Sequence, residues 1–373
     1  MPLIDDEGNL FGVVNVIDAL AVVLLCAVLV AGIAFVGVLG TDGEPETRYA
    51  TIDLGEQPDY VVDRVSEGDT ASPEGTEHNL TVTDVYVTPS AAEDEPQPHV
   101  AVRAEVNGER IEDGDGASTF EFAGEHLRVG SDLDFDTDDY VTSGEVTDLS
   151  ADDASLGIEE TPVLLESTVS ETTANEIEEG DTVELGPHTT ATMTDVQLYP
   201  LSGDQYRTLV GVDLAALQQG STTTYGGQPV TVDSSLQLHF DSYDLDAEVV
   251  RRGTDSQAGE PTTTTTAEME LENVRESVAN GLEAGMTETV RGETLATIQS
   301  VERQPADVVL ESEDGDIHLR EHPTNEDVTL TVELQTRETD TGLQFHGESL
   351  SENEEIVLDF GTKTVEGVVL ELE

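Results

Sequence analysis

TVTDVYVTP (Thr81–Pro89), TMTDVQLYP (Thr192–Pro200) and TIQSVERQP (Thr297–Pro305) share Thr, an apolar residue, Val and Pro at identical offsets. The valines Val85, Val196 and Val301 recur at intervals of 111 and 105 residues, so three units fill most of the chain. A unit of about 100 residues can bury one core of its own, whereas solenoid repeats are far shorter. The spacing therefore predicts three small mainly-β domains rather than a solenoid.

The surroundings of each motif repeat as well. Val61, Val62 and Val65 precede Gly68-Asp69; Thr173, Ala174 and Ile177 precede Gly180-Asp181; Val278, Ala279 and Leu282 precede Gly285-Met286. These offsets place three side chains on one face of a short helix ended by glycine. Downstream, apolar alternation predicts strands at 100–106, 209–214 and 328–334. An aromatic and a glycine follow in Phe122-Ala123-Gly124, Tyr225-Gly226-Gly227 and Phe345-His346-Gly347. A closing hairpin holds Leu133 and Phe135, Leu238 and Phe240, and Leu358 and Phe360, and ends near Leu149, Val250 and Leu370. Each unit reads as a strand, a short helix and four or five strands.

Composition sets the expected boundaries: a short tail at 1–11, a transmembrane anchor at 12–41, a linker at 42–49, the first unit at 50–149, a linker at 150–161, the second unit at 162–258, a threonine-rich linker at 259–266 (GEPTTTTT) and the third unit at 267–373. The stretch 311–327 reads as an insertion in the third unit, a long loop or extra hairpin.

The anchor rests on ALAVVLLCAVLVAGIAFVGVLGT (Ala19–Thr41), which carries no charge. At about 1.5 Å per residue, roughly 20 such residues cross a hydrocarbon core about 30 Å thick. A cleaved leader needs a basic start and an apolar core of about 7–15 residues. The tail MPLIDDEGNLF has no Lys or Arg, and the run is too long. Asn15 and Asp18 stand where the helix is expected to begin, suited to capping its free N–H groups. Cys26 is the only cysteine, so no intrachain disulfide is possible.

The chain has 81 acidic and 14 basic residues, for a formal charge of -67, and Lys363 is its single lysine. Such self-repulsion is relieved in molar salt, where the Debye length falls to about 3 Å. Dense carboxylates with almost no lysine thus predict adaptation to brine, as in haloarchaea. Regular apolar alternation argues against disorder. Nucleic acid is excluded as a partner, because phosphate binding runs on Lys and Arg.

The opening IDDEGNLFGVVNVID (Ile4–Asp18), the Gly-Asp element, the valine strand and RVGSDLDFDTDDYVTSGEVTDL (Arg128–Leu149) resemble the membrane-anchored family catalogued as domain of unknown function 4330. The resemblance covers the anchor and first unit and reaches the others through the internal repeat. It implies one extracytoplasmic β-rich unit behind an anchor, in archaea and bacteria, and it implies no activity. With the threonine-rich spacer, it places the bulk of the chain outside the membrane. The sequon at Asn79-Leu80-Thr81 adds little, because Thr81 belongs to the repeat.

Three patterns imitate chemistry. His318-Leu319-Arg320-Glu321-His322 has the order of an inverted zinc protease, which needs a helix so that both imidazoles reach one zinc. Gly315 and Pro323 flank it with strand-like sequence, and residues four apart in a strand lie about 13 Å apart. Asp134, Asp136, Asp138 and Glu145 have the spacing of a calcium loop, but position 6 is Asp139 instead of the required glycine. Gly68-Asp69 and Gly180-Asp181 read as helix stops, with Met286 replacing the acid in the third unit. No catalytic, cofactor-binding or metal-binding residue is assigned, and no cofactor is expected. Absent tryptophan and scarce aromatics make sugar- or base-stacking platforms improbable.

These readings predict one N-terminal transmembrane α-helix followed by three mainly-β (α+β) repeat domains, each with one short helix. The expected function is a single-pass, non-catalytic envelope interaction or scaffold protein at the cell membrane, in contact with the bilayer through 12–41 and with envelope proteins. The alternative is an accessory or adaptor subunit of a transport or secretion complex, with a metal-dependent hydrolase third.

Overall fold

The computed structural model describes residues 9–10, 14–15, 43–72, 78–90, 97–112, 118–137, 139–185, 188–311 and 317–373. At the start, β1 (Asn9–Leu10) and β2 (Val14–Asn15) pair as a small antiparallel ladder. The first unit follows with β3 (Glu44–Glu56), α1 (Asp59–Val62), β4 (Thr70–Ala71), β5 (Leu80–Thr88), β6 (His99–Glu112), β7 (Ser118–Phe122), β8 (Glu125–His126), β9 (Asp132–Asp136) and β10 (Val141–Ser150). The second contains β11 (Ile158–Ser170), α2 (Glu171–Glu176), β12 (Thr182–Leu185), β13 (His188–Pro200), β14 (Gln205–Gln219), β15 (Thr222–Tyr225), β16 (Gln228–Pro229), β17 (Ser235–His239) and β18 (Asp244–Arg252). The third contains β19 (Glu260–Arg275), α3 (Glu276–Ala279), β20 (Thr287–Val290), β21 (Glu293–Glu311), β22 (Ile317–Thr339), β23 (Gly342–Phe345), β24 (Glu348–Ser349), β25 (Glu355–Asp359) and β26 (Thr364–Leu372).

Each unit forms an eight-stranded antiparallel sheet of one topology. In unit 1 the order is β4-β5-β6-β3-β10-β9, with β7 and β8 branching from β6, and the other two units repeat it. The opening strand of each unit is thus a central one. Register shows what the repeated valine does. Val85 and Ile52 both face Val102, Val196 and Leu165 face Val210, and Val301 and Met269 face Leu330. A one-residue register shift lies just before the valine in all three units, at Val82/Asp84, Met193/Asp195 and Ile298/Ser300. The repeated motif therefore encodes a β-bulge, a device that bends a strand and re-aims its side chains.

Period-two alternation sends Val100, Val102, Ala104 and Val106 of β6 into the unit 1 core beside Ala50 and Ile52. Units 2 and 3 build separate cores in the same way, around Val212 and Leu214 and around Leu330 and Val332. The short helices contribute as their spacing predicts. Val61 and Val65, Ala174 and Ile177, and Ala279 and Leu282 are buried. Each helix is shorter than expected, so the second residue of each pair stands at or beyond its end. The glycine that follows has φ of +89°, +93° and +90° at Gly68, Gly180 and Gly285, and its N–H closes onto the bulge at Val82, Met193 and Ile298.

Several expectations need correction. Among the described residues no helix is long and apolar enough to cross a membrane. Where the expected anchor begins, Val14–Asn15 is strand, with Asn15 opposite Asn9 instead of capping a helix. β-Branched valines favour a ladder at this point. The rest of the apolar run, with Asp18 and Cys26, lies outside the described residues. Among the described residues the fold class is therefore three mostly-β sheets with three short helices, and the expected transmembrane helix is not among them. The threonine-rich spacer 259–266 is not a linker, because Glu260–Thr266 is the first half of β19 and pairs with β22. Threonine is β-branched, and its run here continues a strand. Residues 44–49, expected as tether, likewise belong to β3. Each unit has seven strands after its helix, because short bridges such as β8 are invisible to periodicity. The insertion in unit 3 is an extension of β21 and β22, which stay paired out to Glu311 and Ile317.

Two outcomes follow from this packing. Leu238 is fully buried in unit 2, so Leu238→Ala lowers that unit's stability by about 2–5 kcal/mol. Native-state hydrogen exchange reads the units separately, and a loss confined to unit 2 is expected. Burial pushes the Tyr225 phenol up to about 12, against the opposing pull of Thr190. Its folded pKa lies above the ordinary value of about 10, so its contribution is complete below pH ~10 and disappears as pH rises through the folded value. Alkaline titration of unfolding should show this loss, and Tyr225→Phe should make it smaller, the remainder coming from the other tyrosines that burial also raises.

Candidate functional site

The side chains of β6 that alternate with the core point to the outer face of the sheet. There Arg103 holds the segment joining units 1 and 2. Its Nε donates to the Asp153 carbonyl at 3.0 Å, its Nη1 to Thr51 at 2.7 Å and Asp148 at 2.9 Å, and its Nη2 to the Ser150 hydroxyl. The bulge completes the grip. The Thr83 hydroxyl donates to the Ala154 carbonyl at 2.6 Å, and the Leu156 N–H donates to Asp84 at 2.8 Å. In unit 2 the equivalent bulge residue, Thr194, donates to Asp255 at 2.9 Å, and Gly211 leaves room for the Asp255 carbonyl that a Cβ would exclude. Unit 3 differs at this position. Its bulge carries Gln299 and Ser300, which bond across their own sheet to Glu333 and Thr331.

Beside each joining segment, the aromatic-glycine turn of the next unit presses onto the same outer face. Tyr86 and Ala101 of unit 1 pack with Leu156 and with Leu217 of unit 2, and the Tyr86 hydroxyl donates to the Ala215 carbonyl. Gly227 lies so close to His99 that a Cβ would come 2.7 Å from Nδ1. His99 in turn pairs through Nε2 with Asp53 at 3.0 Å. Burial raises the Asp53 carboxyl, but His99, with the Gly55 N–H and Gln219, outweighs it and holds the group below the usual carboxylate range.

The joint between units 2 and 3 repeats this plan with different residues. Leu164, Tyr199 and Leu209 form its apolar patch, touched by Leu295 of unit 3. A Cβ on Gly347 would come 2.7 Å from Leu209, and the His346 ring stacks on Tyr199 with centroids 5.2 Å apart. Arg207 and Glu166 occupy the register positions of His99 and Asp53. Arg207 makes two 2.9 Å bonds to Glu166 and a 2.7 Å ion pair with Glu348. His346 also reaches Glu288 at 2.7 Å, a carboxylate only 1% exposed. From unit 3, Arg291 donates to the Ala174 and Ile177 carbonyls at the end of α2.

The three patterns that imitate chemistry fall elsewhere. Residues 318–322 lie on β22, with His318 opposite Leu310, so the two histidines stand four residues apart along a strand. His322 accepts from the Thr324 and Asn325 N–H groups. Asp134 and Asp136 lie on β9, opposite Ser143 and Val141, while Asp138 lies outside the described residues. Among the described residues no group of three His, Cys, Asp or Glu side chains is placed to hold a metal. Asp69 accepts from the Ser66 N–H and the Tyr140 hydroxyl, and Asp181 accepts from the Glu178 N–H and the Tyr243 hydroxyl. The tyrosine partners were not read from the sequence. A signal for them exists, because unit 3 replaces the acid by Met286 and the tyrosine by Lys363 together. The joint residues were missed too, since His99 and Arg207 share no letter. One further feature is a cleft of about 1170 Å³ in unit 1, floored by Phe120, Phe122 and Leu133, with Arg48, His126 and Arg128 among its walls.

The joint between units 2 and 3 can be tested at Arg207. Arg207→Ala leaves Glu166 without its partner and should weaken the joint by about 1–3 kcal/mol. Hydrogen exchange should rise around Leu209 and Phe345 while amides near Leu238 keep their protection.

No curated protein and no solved structure matches the chain. One family model does, described as domain of unknown function (DUF4330), over residues 1–150 and 248–373. The matched segments contain the first and third sheets and pass over nearly all of the second. The match therefore reaches farther along the chain than the sequence resemblance did, and it covers most of its length: the protein belongs to the DUF4330 family.

Proposed function

We propose that this protein is a non-catalytic interaction module held at the cell membrane, with residues 12–41 in contact with the lipid bilayer and the three β units outside, available to other envelope proteins. The observation that carries the interaction reading is the pair of joints. Each uses an outer sheet face to bind a β-turn of another unit through an apolar patch and a glycine in close approach, beside a charged pair on the receiving face that in the second joint also reaches Glu348 of the docked turn. A sheet face of this kind is a recognition surface, and recognition needs no reacting group. The uncharged run Ala19–Thr41 supports the membrane contact. The excess of 81 acidic over 14 basic residues supports a haloarchaeal setting with concentrated salt.

Fractionation tests the placement. The chain should sediment with membranes and be released by detergent but not by salt, and a chain lacking 12–41 should be soluble. Recovery of the complete chain in the soluble fraction would overturn the membrane contact. Crosslinking in high salt then separates a scaffold from an accessory subunit of a transport or secretion complex, because the second requires a polytopic transporter among the products. The halophilic reading has its own measurement. Lowering salt from about 1 M to 0.1 M lengthens the Debye length from about 3 to 10 Å and should lower the melting temperature steadily. A melting temperature indifferent to salt would remove that reading.

A further inference from the structure

Unit 1 carries the same turn that docks in units 2 and 3, and none of the described residues receives it. Phe122, Tyr225 and Phe345 pair with Glu125, Gln228 and Glu348 to close three equivalent hairpins. The intervening backbone is the same in each. Ala123, Gly226 and His346 have φ of 56°, 53° and 53°, and Gly124, Gly227 and Gly347 have φ of 82°, 77° and 77°. The aromatic is buried in all three. Only the surroundings differ. Gly227 and Gly347 are pressed against the preceding unit, whereas a Cβ on Gly124 would meet nothing within 4 Å. Glu125 is exposed at the position of Glu348, which pairs with Arg207 at 2.7 Å.

We propose that the Phe122–Glu125 turn docks on a β-sheet face of a second protein that presents a guanidinium beside aliphatic side chains, as Arg207 and Leu209 receive Glu348 and Gly347. The proposal rests on the interaction reading above and names the chemistry of the partner. Charge excludes another copy of this chain. The receiving faces of units 1 and 2 are already covered by units 2 and 3. On unit 3 the register positions of Arg207 and Leu209 hold Asp327 and Thr329, with exposed Glu302 beside them. A face of carboxylates repels Glu125 where an arginine would pair with it. The complementary face must come from a chain of different sequence.

Installing the missing chemistry tests this in the complete protein. Asp327→Arg with Thr329→Leu gives unit 3 the two side chains that receive a turn in unit 2. In molar salt the variant should associate end to end, because a head-to-tail contact does not close, and its weight-average mass by sedimentation should rise about twofold or more. Adding Glu125→Arg should return it to the mass of the single chain. Asp327 accepts a hydrogen bond from the Asn273 N–H, so Thr329→Arg alone, which keeps that bond, provides a second folded test. Folded variants that stay at single-chain mass, or association that survives Glu125→Arg, would overturn the proposal. Neither result depends on membrane placement, so failure of fractionation and failure of docking are separable.

Discussion

The bulge that precedes Val85, Val196 and Val301 is the constraint on which the architecture rests. It lets a strand keep its valine opposite the central core position while one extra residue is turned out of the ladder. Inside the unit, the glycine after each short helix donates to the residue before the bulge, tying the helix to the sheet. Outside the unit, Thr83 and Thr194 use the extra residue to hold the joining segment. One irregularity therefore sets the register of the core and the seat of the next unit. A regular strand could do only the first, because its side chains would alternate without leaving an additional outward group.

The acidity of the chain explains how its few cations are used. With 14 basic residues against 81 acidic ones, most carboxylates have no cationic partner and must face solvent. Arginines instead stand where carbonyls or joints need charge. Arg291 and Arg303 donate to carbonyls in and just beyond the last turns of α2 and α3, where the helix dipole favours a cation. Arg103 and Arg207 are largely buried at the two joints, 4% and 15% exposed at their side chains. At that depth an ion pair is less screened than one on the open surface, so it fixes orientation even in concentrated salt.

Most of the sheet architecture was legible because it repeats. Three copies of one valine motif, helix face and aromatic-glycine pair marked the units, and periodicity located the long strands. What failed, failed for local reasons. The threonine run 262–266 looked like a spacer by composition, yet β-branching suits it to β19. The opening apolar run obeyed the length rule for a membrane span, while at its edge Val14–Asn15 is paired with Asn9–Leu10. The joints were illegible because their positions conserve a role rather than a residue. His99 with Asp53 and Arg207 with Glu166 do the same work with different letters, and Arg103 is matched by a glycine. Only register aligns them.

Once aligned, the third copy explains its own divergence. Gln299 and Ser300 break the Thr-x-Thr-Asp pattern and bond across their own sheet, and Thr329 and Asp327 replace the apolar and basic residues that receive a turn in unit 2. A polar outer face does not favour the stacking of a further unit upon it. The substitutions are concentrated on that face, while the core positions Val301 and Leu330 retain their apolar character. The first copy has the opposite asymmetry: its receiving face is filled and no described residue covers its turn. The described array therefore differs in chemistry between its two outer units, a carboxylate-lined face on unit 3 against an uncovered turn on unit 1.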